Sequence, residues 1–142
     1  MNRQLSPGNW EPLFVSHAET TKLLIALFEA FNAHDAAAVV ALMTDDCVFE
    51  AAAGPEAYGA RHVGKAAVRA AFENVWALMP DVQWEVQRHY HVGDRAVSEW
   101  LFKATRADGA RIEVQGCDLF TLRDGKVALK QAFRKERPVS KS

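Results

Sequence analysis

Cysteine is scarce in this chain. Cys47 and Cys117 are the only two, and they make no metal-ligand spacing, so free thiols in a cytoplasmic protein are expected. Charge of one sign is lacking as well. Lys and Arg total 17 against 18 Asp and Glu, a net charge of -1 with a pI near 6.5. That balance offers no concentrated positive field for nucleic acid or an acidic membrane surface. No apolar run is long enough to span a membrane, and Met1 to Trp10 lacks the charged-then-apolar pattern of a secretion signal. There is no phosphate-binding glycine loop, and Ser16 and Ser98 sit in no Gly-x-Ser-x-Gly turn. No cofactor and no metal are therefore expected.

What is present fits one domain with a real core: 142 residues, 49% hydrophobic and 25% charged. A neutral or small organic partner suits such a chain. Residues 1–19 read as a lead-in broken by Pro7, Gly8 and Pro12, with Trp10, Leu13, Phe14 and Val15 able to pack. Residues 20–137 form the domain, and 138–142 are a tail. Thr20 or Thr21 can cap a first helix, whose Leu24, Leu27, Phe28 and Phe31 share one face. Asp35 is placed to cap a second, Ala36 to Met43, which Thr44-Asp45-Asp46 stops before a short strand from Cys47 to Ala51. After a connection through Arg61-His62-Val63-Gly64, a third helix, Lys65 to Met79, carries Val68, Phe72, Val75, Trp76 and Met79 on a stripe, and Pro80 ends it.

The remainder is β-patterned, with turns at Gly93-Asp94, Asp108-Gly109 and Asp124-Gly125. Asp-Gly between two such runs signals a tight hairpin, because a type I′ turn needs positive φ at both central residues. The spacing predicts a four-stranded antiparallel meander with strands of about eleven to thirteen residues, or about 36 to 43 Å. Twist accumulates over that length, so the sheet should curl around the helices as a cone with a mouth. Its outer face would still need cover, which a second copy in a homodimer supplies.

The order helix, helix, short strand, helix, long meander resembles the SnoaL-like branch of the nuclear transport factor 2-like superfamily. So do the phrases Phe31-Asn32-Ala33-His34-Asp35, Leu42-Met43-Thr44-Asp45-Asp46-Cys47-Val48-Phe49, Glu99-Trp100 and Gly116-Cys117-Asp118-Leu119-Phe120-Thr121-Leu122-Arg123-Asp124-Gly125-Lys126-Val127. The resemblance implies an α+β fold, with three N-terminal helices packed in the concave face of a strongly curved, mostly antiparallel sheet. It implies fold more than function, since relatives include isomerases, polyketide cyclases, epoxide hydrolases, dehydratases and proteins without catalysis.

The steroid isomerases resemble the chain at Asp118, where they carry a protonated aspartic acid. Their base would fall on Ala51 and their oxyanion tyrosine on Leu27, so that route lacks two parts. The limonene epoxide hydrolase aspartate would fall on Ala132, with Glu99 and Leu101 in place of its Arg and Asp partners. The polyketide cyclases, with an acid close to the Asp118 position, are the surviving analogy.

Alternation puts Val114, Gly116, Asp118 and Phe120 on one face, and Lys130, Ala132 and Arg134 share a face of the next strand. A cation paired with Asp118 would keep it ionised; an unpaired acid in an apolar pocket would become a proton donor. The candidate catalytic set is Asp118 assisted by Arg134, Glu99 or His89. The candidate ligand-binding set is Trp100, Phe120, Gly116, Trp76, Phe28 and Lys130. Space beside Gly116 would suit a substrate or a close-packed aromatic ring. Two readings follow: acid-base chemistry on a mostly apolar metabolite, or a non-catalytic ligand-binding dimer whose Asp118 only orients its ligand.

Overall fold

The computed structural model describes residues 17–138 and 140–141. The anticipated packing of Trp10, Leu13, Phe14 and Val15 lies outside the described residues. Helix α1 (His17–Asn32) turns Leu24, Leu27, Phe28 and Phe31 inward, as the spacing requires, and buries Thr20 and Leu23 with them. Thr20 is thus an interior helical residue, not a cap. After His34, at φ 57, Asp35 caps α2 (Ala36–Ala41) by accepting a 3.0 Å bond from the Ala38 amide. The expected second helix is shorter than the sequence suggested. Met43 to Asp46 belong to strand β1 (Met43–Glu50), because pairing with another strand outweighs the helical propensity of Leu42-Met43.

The segment read as a connection contains a short strand, β2 (Arg61–Val63), paired antiparallel to β1. Helix α3 (Lys65–Leu78) follows, burying Val68, Phe72 and Trp76 at four-residue spacing. Then comes the meander: β3 (Gln83–Val92), β4 (Arg95–Thr105), β5 (Ala110–Arg123) and β6 (Lys126–Arg134). Asp124 at φ 54 and Gly125 at φ 75 make the tight β5–β6 turn that the Asp-Gly pair announces. Strand β1 joins the sheet parallel to β6, and the spatial order is β2-β1-β6-β5-β4-β3; a short β7 (Ser140–Lys141) pairs with β5. The sheet is mixed and open, since β2 and β3 lie at opposite ends of that order.

On β4 the pattern is strict: Ala96, Ser98, Trp100, Phe102 and Ala104 are buried, while their neighbours are partly exposed. This inner face packs on the helices in a core that includes Leu24, Leu27, Phe31, Phe72, Phe102 and Phe120. Simple alternation would set Val86, Arg88 and Tyr90 on one face of β3. A bulge between Val86 and Arg88 breaks that expectation. It sends Arg88 outward to Glu99 (3.0 Å) and brings His89 inward opposite Ser98.

Candidate functional site

One rung of the sheet carries polar groups through an otherwise apolar core. His89 pairs with Ser98, Ser98 with Asp118, and Asp118 with Ala132; Lys130 stands opposite Phe120, two residues along β6. Asp118 is fully buried. Its Oδ1 accepts from Lys130 Nζ at 2.8 Å and its Oδ2 from Trp100 Nε1 at 3.0 Å. Lys130, only 4% exposed, places its ammonium 4.8 to 5.8 Å from the ring centres of Phe49, Phe31 and Phe72. The charge is thus solvated by one carboxylate and three aromatic faces.

Space beside Gly116 is taken. A Cβ there would come within 2.5 Å of the Trp100 ring and of the Phe133 carbonyl oxygen. Of the two uses foreseen for that gap, the close-packed ring is the one found. Asp118, Lys130, Trp100 and Phe120 therefore form a dense interior. Trp76 is likewise a core residue, stacked on His34 at 5.2 Å and 11°.

Two cavities flank this interior. The first, of about 880 Å³, lies between α1 and β3. Ile25, Phe28, Glu29 and Asn32 supply one wall; Trp84, Val86 and His89 supply another, with Asp81, Lys103 and Arg111 near its rim. Asn32 fixes the separation of the walls. Its Nδ2 donates to the Trp84 carbonyl (2.9 Å), and its Oδ1 accepts from the Trp84 amide (2.8 Å). Within the cavity His89 is the group suited to proton transfer near neutrality. Its ring packs 5.6 Å from Phe28, its Nδ1 lies 2.7 Å from the buried Ser98 Oγ, and burial pushes its pKa below the ordinary histidine value. The imidazole is consequently neutral at pH 7 and able to accept a proton.

The second cavity, of about 570 Å³, gathers Glu99, Trp100, Gly116 and Arg134. The expected site residues thus separate into three places: Asp118, Lys130 and Phe120 in the interior, His89 and Phe28 in the first cavity, Glu99 and Arg134 in the second. Ser98 was passed over in the sequence because no nucleophile motif surrounds it; its place in the Ala96-Ser98-Trp100 alternation was the available signal. The role of Asn32 had no such signal, because it depends on β3 arriving beside α1. Among the described residues no cluster of three His, Cys, Asp or Glu side chains could hold a metal ion, and no helix is long and apolar enough to cross a membrane.

The family model for the SnoaL-like domain matches residues 24–130. The chain belongs to the SnoaL-like family. No curated protein sequence matches it. Among solved structures, it is similar to an NTF2-like protein of unknown function from Mesorhizobium loti. That match has 27% identity and a TM-score of 0.70 over 84% of this chain and 93% of the other. It is also similar to a putative polyketide cyclase from Xanthomonas campestris pv. campestris (22% identity, TM-score 0.72, 82% and 90% covered). A third is a hypothetical protein with a ketosteroid isomerase-like fold from Catenulispora acidiphila DSM 44928, in complex with trimethylamine (18% identity, TM-score 0.69, 79% and 84% covered). The last two likenesses concern the fold alone.

Proposed function

We propose that the protein is a small-molecule enzyme of the proton-transfer type, with His89 as its acid-base group and the cavity between α1 and β3 as its binding site. The observation that carries this reading is His89 itself: a neutral imidazole, anchored on a buried hydroxyl, at the wall of a cavity of about 880 Å³. Phe28, Trp84 and Val86 suit the apolar body of a metabolite, while the charged rim suits its polar end. Abstraction of a proton beside a carbonyl is the elementary step that isomerases and cyclases share. His89 supports it in either role: with Nδ1 accepting from Ser98, the other ring nitrogen carries the proton; with Nδ1 donating, that nitrogen is the base. Asp118, held by Lys130 and Trp100, supports this site by fixing the rung on which Ser98 stands.

That same enclosure of Asp118 favours a second reading, a non-catalytic ligand-binding protein of the same fold. Solvent deuterium exchange into cyclic ketones, followed by NMR in D2O, distinguishes the two. The enzyme reading expects exchange above the buffer rate, reduced about 10²- to 10⁴-fold by His89→Gln. It also expects a smaller loss and an altered pH profile for Ser98→Ala. Ketone binding at Phe28 and Trp84 without exchange would leave the binding reading in its place.

A further inference from the structure

The hydrogen bond between His89 and Ser98 decides what the cavity between α1 and β3 presents to a ligand, because a neutral imidazole carries its proton on one ring nitrogen only. Ser98 Oγ lies 2.7 Å from His89 Nδ1. Two assignments satisfy that distance. Either the hydroxyl donates and Nδ1 accepts, or Nδ1 donates and the hydroxyl accepts.

The surroundings of Ser98 separate them. The residue is fully buried on the inner face of β4, and its side chain has no hydrogen-bond partner besides His89 among the described residues. Asp118, opposite on β5, directs its two oxygens to Lys130 and Trp100. Were Nδ1 to donate, the hydroxyl hydrogen would be enclosed without an acceptor. Leaving a buried donor unpaired disfavours that state about ten- to a hundredfold. A cationic ring would require the same donation from Nδ1, so the hydroxyl reinforces the burial that keeps the imidazole neutral. With the hydroxyl donating, the one polar atom of the pair left over is Nε2, and it is not enclosed. Among the described residues, the buried side-chain nitrogens and oxygens without a partner are Trp76 Nε1 and His91 Nε2. His89 lines the cavity, so its Nε2 opens there.

The charges around the cavity narrow what that nitrogen can meet. Lys103 pairs with Glu85 at 3.5 Å, and Arg111 with Asp81 at 3.3 Å. Glu29 is the remaining carboxylate of the wall, and it has no ion pair among the described residues. With both cations engaged and one acid free, an anionic ligand finds no counter-charge. A neutral acceptor still finds the N–H. Resting on the placement of the ligand between α1 and β3, we propose that Ser98 donates to His89 Nδ1, that the resting imidazole carries its proton on Nε2, and that the cavity recognises an uncharged carbonyl compound by donating this N–H to its oxygen. His89 is then the acid toward the carbonyl, and Ser98 is the positioning residue that sets its tautomer.

Long-range proton–nitrogen NMR of the full chain, labelled at histidine and compared with His89→Gln for assignment, reads the tautomer at about pH 8, where the imidazole is neutral. The wild type should show the Nε2–H form. Ser98→Ala should lose that preference, and Ser98→Thr, which keeps a hydroxyl, should retain it. In a second arm, cyclohexanone should bind about three- to tenfold more tightly than methylenecyclohexane, which has a methylene in place of the oxygen. It should also bind more tightly than cyclohexanecarboxylate. His89→Leu should abolish the difference between the ketone and its methylene analogue. An Nδ1–H form in the wild type overturns the proposal, as does equal binding of those two probes or a preference for the carboxylate. Binding by none of the three overturns the placement of the ligand as well. No turnover is needed, so a protein with this tautomer and this ketone preference but no deuterium exchange loses the enzyme reading and keeps the recognition proposed. The wild-type tautomer remains decisive even if a Ser98 variant fails to fold.

Discussion

Replacing Lys130 by Met tests whether Asp118 is sequestered. The substitution keeps the length and most of the apolar stem but deletes the ammonium 2.8 Å from Asp118 Oδ1. Asp118 is 0% exposed, so water cannot take the place of the lost donor; only the Trp100 indole N–H remains on the carboxylate. Removing one partner of such a pair costs about 3–5 kcal/mol, because it leaves a charge buried without compensation. Against a typical total stability of about 5–15 kcal/mol, that is a large fraction. With a urea dependence of about 2 kcal/mol per molar, the unfolding midpoint should fall by about 1.5 to 2.5 M. The double variant Asp118→Leu with Lys130→Met removes both charges and should recover most of the loss, since an apolar pair of similar volume is often as stable as a buried ion pair. Urea titration followed by far-UV circular dichroism measures both. A loss below about 1 kcal/mol for Lys130→Met would refute the reasoning, because a carboxylate so easily relieved of its partner must have access to water.

Gly116→Ala should lower the melting temperature by an amount corresponding to about 1–3 kcal/mol, since the new methyl meets the Trp100 ring and the Phe133 carbonyl at 2.5 Å; unchanged calorimetric melting would show that Trp100 can move aside. Asn32→Ala should destabilise by about 1–3 kcal/mol for each backbone group of Trp84 left unpaired, with faster amide exchange at Trp84 as the local signature. Stability should also decline as pH falls. Burial lowers the pKa of His89 and, aided by the neighbouring His17, that of His91. The unfolded chain therefore binds protons first, from about pH 6.5 downward, and stability rises with pH across that window. A urea midpoint that stays constant or rises as pH drops from about 7 toward about 5.5 contradicts this.

The meander was legible because its signals are local: Asp-Gly turns fix hairpins, and period-two alternation fixes which residues of β4 and β5 face inward. The same alternation put Asp118 on one face with Val114, Gly116 and Phe120, with Lys130 or Arg134 as a possible counter-charge; that this face is the inner one was left open. Three features were not legible, each for a non-local reason. The start of β1 at Met43 depends on β6 returning alongside it, which no window around Met43 contains. The bulge in β3 shifts its face by one residue and so exchanges Arg88 for His89. The filling of the interior depends on the Trp100 ring leaning over Gly116 from the neighbouring strand, a choice that the glycine alone leaves open between ligand and side chain.

That last choice is why the proposed acid-base group is His89, further along the rung, and not Asp118. Once Trp100 donates to Asp118 and covers Gly116, the carboxylate has two donors and no free volume, so it serves as an anchor for two strands. Strand pairing then carries the consequence sideways. Ser98 is fixed opposite Asp118 on one side and opposite His89 on the other, and its hydroxyl reaches the imidazole. His89 gains from this arrangement what the proposed acid-base role needs, a fixed orientation and a pKa held below the ordinary histidine value, while remaining at the wall of a cavity. The buried pair and the accessible histidine are thus two ends of one polar row, and the bulge in β3 is the feature that brings them to the same face.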